Sequence, residues 1–129
     1  HPQEKDPTSP QVPIIQHADI KRLLLAQKSA AEGAFALLLH SAWLIDRQRT
    51  ESDAAELERI GLLLDILTPI AKSWPSECCL EGNKHAIQVL GGYGYTREFP
   101  LERMYRDARV QSLGGGATEV MPAEVAKRM

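Results

Sequence analysis

Between about residues 18 and 48, apolar side chains recur at spacings of three and four: Ile20, Leu24, Ala31, Phe35, Leu38, Ala42 and Ile45. That period predicts an amphipathic helix. Leu23, Ala30, Ala34, Leu37 and Leu44 widen the stripe, so the helix has more than one face to bury and belongs inside a bundle. A polar break at 50–53 ends it, and Asp53 with Glu56 has the spacing of a capping box opening the next helix. Leu57, Ile60, Leu64, Leu67, Ala71 and Trp74 form the second stripe. Pro69 and Pro75 each remove a helical amide, but the pattern resumes through Cys78, Ile87 and Leu90. One long kinked helix and two helices in tandem both satisfy this stretch.

The segment 93–100 reads as a turn. A short helix starts at Pro100 or Leu101 and runs to about Leu113, where Gly114, Gly115 and Gly116 stop it. A last helix begins at Ala117 or Thr118 and continues through Val125, with Pro122 tolerated near its start. Residues 1–13 hold four prolines among polar residues without periodicity and read as an extended or disordered arm; the helical domain is 14–129. The fold class expected is all-α, an up-and-down helical bundle. Aromatic content of 5%, with alanine and leucine dominating the periodic stretches, favours helix over sheet in the same way.

Charge and composition narrow the function classes. A net charge of −2 gives no electrostatic reason to expect nucleic acid. No uninterrupted apolar run reaches about 20 residues, so no membrane span is expected, and the chain reads as cytoplasmic or organellar-matrix in type. Cys78 and Cys79 are adjacent, which suits free buried thiols better than a disulfide. His1, His17, His40 and His85 have no metal-ligand spacing, and Ser41, Ser73 and Ser76 lack the context of a nucleophile elbow. Glu102, Arg103, Arg106, Asp107 and Arg109 read as a solvated face with ion pairs at three and four residues. Trp43 and Trp74 fit an interface or a core equally well.

The densest chemistry lies in Ala86-Ile87-Gln88-Val89-Leu90-Gly91-Gly92-Tyr93-Gly94-Tyr95-Thr96-Arg97, followed by Leu101-Glu102-Arg103-Met104-Tyr105-Arg106-Asp107-Ala108-Arg109. Read from the residues alone, this is an amphipathic helix ending in glycine, either as an ordinary C-cap or because a ligand needs the backbone close. It is not a Rossmann fingerprint, since no strand precedes it and Arg97 stands where the last glycine belongs. The run closely resembles the signature of the C-terminal helical domain of flavin-dependent acyl-CoA dehydrogenases, and in weaker form the resemblance extends from about Val12 to Met129.

That resemblance implies a flavoprotein oxidoreductase, in which an acyl-CoA thioester loses its α-proton to a carboxylate and a hydride leaves the β-carbon for FAD. It implies cofactor contacts at Gln88, Gly91 and Gly92, on a flavin belonging to the neighbouring subunit, and at Thr118 and Glu119. It also implies a homo-oligomer. The usual catalytic glutamate position carries Gly115, which cannot take a proton. Other branches of the family place the base on an earlier helix, one that precedes the region matched by 12–15. The implied chain therefore holds part of a flavin-ADP site but no catalytic base, and meets acyl-CoA only with the N-terminal and middle domains present. A bundle lacking its first helix would expose an apolar groove. The alternative is a stand-alone oligomerisation or partner-binding module derived from the family.

Overall fold

A computed structural model describes Thr8 and residues 10–127; of the expected arm, positions 1–7 and 9 lie outside the described residues. A single turn of 3-10 helix at Ile14–Gln16 leads into helix α1, Ala18–Thr50, and helix α2, Ala54–Leu90. A second 3-10 segment, Gly91–Tyr95, is followed by helix α3, Leu101–Gln111, and helix α4, Met121–Ala126. No strand occurs among the described residues, so the fold is all-α as expected. At about 1.5 Å per residue, α2 is roughly 55 Å long and forms the spine on which α1, α3 and α4 all pack.

Helices α1 and α2 form an antiparallel hairpin. Its register is marked by Gln48 against Gly61, Gly33 under the Trp74 ring, and Gln27 against Gly82. The face of α1 turned to α2 is Leu23, Gln27, Ala30, Ala34, Leu37, Ser41 and Leu44, alternating in steps of four and three, with Leu23 and Leu44 buried. The stripe through Ile20, Leu24, Ala31, Phe35, Leu38, Ala42 and Ile45 is therefore not the seam. Phe35 is 64% exposed and Ile45 42%, and on the far side of the helix Leu25, Leu39 and Trp43 are exposed as well. The seam itself contains two polar side chains. Gln27 Nε2 donates to the Leu23 carbonyl at 3.2 Å and Ser41 Oγ to the Leu37 carbonyl at 2.9 Å, so each polar group is satisfied by its own helix.

The hairpin turn carries its own hydrogen bonds. Asp53 is the N-cap of α2 and accepts from the Ala55 amide at 3.2 Å, but the reciprocal arm of the expected capping box is absent. Glu51 replaces Glu56 in that role, its Oε1 accepting from the amides of Ser52 and Asp53, while Glu56 pairs with Arg59 and Arg47. The Asp53 amide, Arg47 and the Ser52 amide hold the Glu51 carboxyl below its ordinary value of 4.5. A carboxylate whose pKa is lowered by folding stabilises the fold above its unfolded pKa, and that stabilisation is lost as pH falls through the folded value. The thermal midpoint is thus expected to drop on acidification below about pH 4.5, and Glu51→Gln should flatten part of that drop, as circular dichroism melts would show.

Helix α2 is continuous through Pro69 and Pro75. The hydroxyls of Ser73 and Ser76 donate back to the carbonyls of Pro69 and Lys72, adding bonds around the place where Pro75 supplies no amide. Helix α4 starts at Met121 rather than at Ala117 or Thr118, because residues 112–120 are taken up by a glycine turn; Pro122 sits in its first turn, where an amide has no partner in any case. Cys78 is half-buried, and burial together with nearby Glu77 raises its thiol pKa. Cys79 is exposed, against the expectation of two buried thiols. Trp43 and Trp74 are both surface residues, Trp43 stacked on His40 with Arg47 over its ring.

Candidate functional site

The C-terminal end of α2 is shaped by glycines that differ in what they do. Gly91 is the C-cap, with φ +58°, and its amide bonds the Gln88 carbonyl. That backbone sign favours glycine. A Cβ built on Gly91 or Gly92 meets nothing within 4 Å. The crowded position is Gly94, which is buried: a Cβ there would lie 2.6 Å from the Ile87 carbonyl oxygen and 2.8 Å from the Ile87 Cα. The close backbone approach within this chain is therefore made by Gly94, a residue the sequence reading passed over. Its signal was the third glycine of Gly91-Gly92-Tyr93-Gly94, one turn past the helix end.

By pressing the 3-10 segment onto α2, Gly94 opens a cleft of about 430 Å³ between the end of α2, Tyr95 and α3. Lys84, Ile87, Gln88, Tyr95, Glu102 and Tyr105 line it with Gly94. Gln88 is exposed at its edge, and Lys84, in contact with Glu81 at 3.2 Å, supplies a cation beside it. The segment is closed by Thr96, whose amide and hydroxyl both donate to the Tyr93 carbonyl, and by an edge-to-face contact of Tyr93 with Phe99. On α3, Glu102 pairs with Arg106 at 3.3 Å, the four-residue ion pair expected of that charged face.

Thr118 and Glu119 lie elsewhere. Thr118 Oγ1 donates to Glu77 Oε1 at 2.8 Å, which places it eleven residues, or about 16 Å along the helix, from Gln88. Gln88, Gly91 and Gly92 thus gather at one end of α2, while Thr118 and Glu119 gather beside its middle. Gly115, which the resemblance aligns with the family's usual glutamate, is exposed with φ +67°, and Gly116 follows at φ +101°. Two side chains reach this turn from α2, Lys72 to the Gly116 carbonyl and Glu77 to Thr118, and neither was singled out in the sequence. Among the described residues, no group of three His, Cys, Asp or Glu side chains could hold a metal ion, and no helix is long and apolar enough to cross a membrane.

Comparison with known proteins gives these features their context. Residues 5–129 match the family model described as acyl-CoA dehydrogenase, C-terminal domain. A butyryl-CoA dehydrogenase of Syntrophomonas wolfei is 34% identical over 127 residues, covering 98% of this chain and 21% of that protein. The broad-specificity linear acyl-CoA dehydrogenase FadE5 of Mycobacterium tuberculosis is 34% identical over 119 residues, covering 92% of this chain and 20% of its own length. A crystal structure described as that of an acyl-CoA dehydrogenase from Mycobacterium smegmatis superposes with a TM-score of 0.73 at 26% identity, over 92% of this chain and 28% of that one. The chain spans about a fifth of the length of these curated relatives. With its helical fold and a family match running from residue 5 to its last residue, the chain belongs to the acyl-CoA dehydrogenases and corresponds to their C-terminal domain.

Proposed function

We propose that this chain is the part of an FAD-dependent acyl-CoA dehydrogenase that holds the ADP portion of the flavin and joins subunits, and that the proton-abstracting carboxylate comes from outside residues 1–129. The observation that carries the reading is the exposed Gln88–Gly92 end of α2 beside the cleft, in a chain matched by that family's model almost throughout. The residues suit the group. The Gln88 amide and Lys84 ammonium are donors suited to phosphate oxygens, Tyr95 and Tyr105 offer aromatic walls, and the space beside Gly91 and Gly92 is open for backbone approach. Bound flavin supplies the hydride acceptor for oxidation of an acyl-CoA. The cytoplasm is the compartment proposed.

The apolar outer surface of α1, with Phe35, Leu38, Leu39, Trp43 and Ile45 exposed, supports self-association, since contiguous apolar patches of this kind are normally covered. That surface, together with glycine at position 115, also favours the second reading, an assembly module without dehydrogenase activity. Light-scattering mass with and without FAD, recorded with the flavin absorbance of the protein peak, separates the two: an oligomer carrying flavin supports the first, and a colourless oligomer indifferent to FAD supports the second. In titration calorimetry, Gln88→Ala is expected to weaken FAD or ADP binding about tenfold, the loss of one amide contact to a charged oxygen. Unchanged affinity removes Gln88 from the site.

A further inference from the structure

The turn that carries Thr118 and Glu119 is the most glycine-rich part of the chain, with Gly114, Gly115 and Gly116 in succession. Glycine loses more freedom on ordering than any other residue, so such a turn needs external ties to hold one shape. Its base is internal: Ser112 is buried, its hydroxyl joins Arg109, and its carbonyl accepts from the Thr118 amide at 3.2 Å, closing the turn on itself. Its far side is tied to α2 by Lys72 Nζ on the Gly116 carbonyl and by Glu77 Oε1, which accepts a hydrogen bond from the Thr118 hydroxyl at 2.8 Å. Both ties reach across more than forty residues of sequence, from either side of Pro75.

From this geometry we infer that Glu77 is a positioning residue for the cofactor, acting through Thr118. This rests on the reading of Thr118 as a flavin contact. A threonine hydroxyl has one proton and two lone pairs. With the hydroxyl proton shared between Glu77 at 2.8 Å and the Ser112 carbonyl at 3.4 Å, the shorter contact being to Glu77, Thr118 faces a ligand as an acceptor only, and its neighbour Glu119, exposed and acidic, is an acceptor as well. The turn beside the middle of α2 therefore takes the donor-bearing part of a nucleotide, a ribose hydroxyl or the adenine amino group. The Gln88 end, with its amide and ammonium, has the opposite polarity. Glu77 thus fixes the place of the turn and the sense of the hydrogen bond that Thr118 offers a ligand.

The test is ADP binding by the full chain, measured by calorimetry for Glu77→Ala, Glu77→Gln, Thr118→Val and the Glu77→Ala/Thr118→Val double variant, with helical content followed by circular dichroism. Glu77→Ala is expected to weaken ADP about tenfold, the scale of one hydrogen bond to a charged group. Glu77→Gln, which keeps an acceptor, should recover most of the affinity, and the double variant should lose no more than either single one. Additive losses, or Glu77→Ala binding ADP like the parent while Gln88→Ala does not, overturn the inference and leave the cofactor reading standing. If the parent chain binds neither FAD nor ADP, the cofactor reading falls and the role of Glu77 falls with it. A Glu77→Ala variant that loses helical content overturns a specific role if Glu77→Gln fails to restore both helicity and affinity.

Discussion

Ile60→Ala is expected to destabilise the chain by about 2–5 kcal/mol, the range for truncating a fully buried aliphatic side chain. Ile60 has no exposed surface, and only Leu23, Leu44 and Ala108 join it as buried apolar residues among those described. With so small a core, the loss is a large share of the roughly 5–15 kcal/mol that holds a typical domain together. Ile60 also lies near the hairpin turn, where the register of α1 on α2 is set by Gln48 against Gly61. A cavity there loosens the start of the seam. Urea denaturation followed by circular dichroism measures the effect. Leu62→Ala, which removes a side chain 55% exposed, is the comparison and should be near neutral at concentrations where the chain is monomeric. Equal losses at positions 60 and 62 would mean that the α1–α2 seam is not the core.

Gly94→Ala is the second large effect. The added methyl group meets two backbone atoms of Ile87, and no side-chain rotation relieves either contact. Either the 3-10 segment lifts off α2 or the last turn of α2 frays, at a cost of about 1–3 kcal/mol or more. Because Gly94 is a wall of the cleft that also holds Gln88, Tyr95 and Tyr105, nucleotide binding is expected to fall along with stability. Gly92→Ala makes the informative contrast: it has open space and no positive φ, so its stability should stay within about 0.5 kcal/mol of the parent. Loss of FAD binding in Gly92→Ala without loss of stability identifies a glycine kept for a ligand. Paired thermal melts and calorimetry read both quantities. A stable Gly94→Ala that still binds nucleotide contradicts the packing described for this segment.

The existence and order of the helices were legible because their signals are local. A three-and-four periodicity, Asp53 as an N-cap and glycine at a helix end each act within a few residues. Both apolar faces of α1 were legible, but which of them is the seam was not. The outer stripe is the more hydrophobic by composition, and the seam is interrupted by Gln27 and Ser41, which periodicity counts as breaks although both are satisfied by their own helix. The start of α4 was misplaced for a related reason. Thr118 caps nothing, because its hydroxyl is engaged by Glu77 from α2.

The candidate site divides along the same line. Gln88, Gly91 and Gly92 stand in one short run, so their shared location follows from helical geometry alone, whereas the reading of Gly115 as the usual glutamate position rests on the family resemblance. Thr118 and Glu119 share no neighbourhood with that run, and Lys72, Glu77 and the crowded Gly94 acquire meaning only when distant backbone segments meet. Local sequence thus specified helices, caps and glycine positions, because those depend on backbone dihedrals and on hydrogen bonds within a turn or two. Tertiary packing selected which face is buried, which glycine is crowded by backbone and how far apart the two candidate clusters stand. Those outcomes depend on contacts between residues far apart in the chain, whose identity one-dimensional periodicity does not carry.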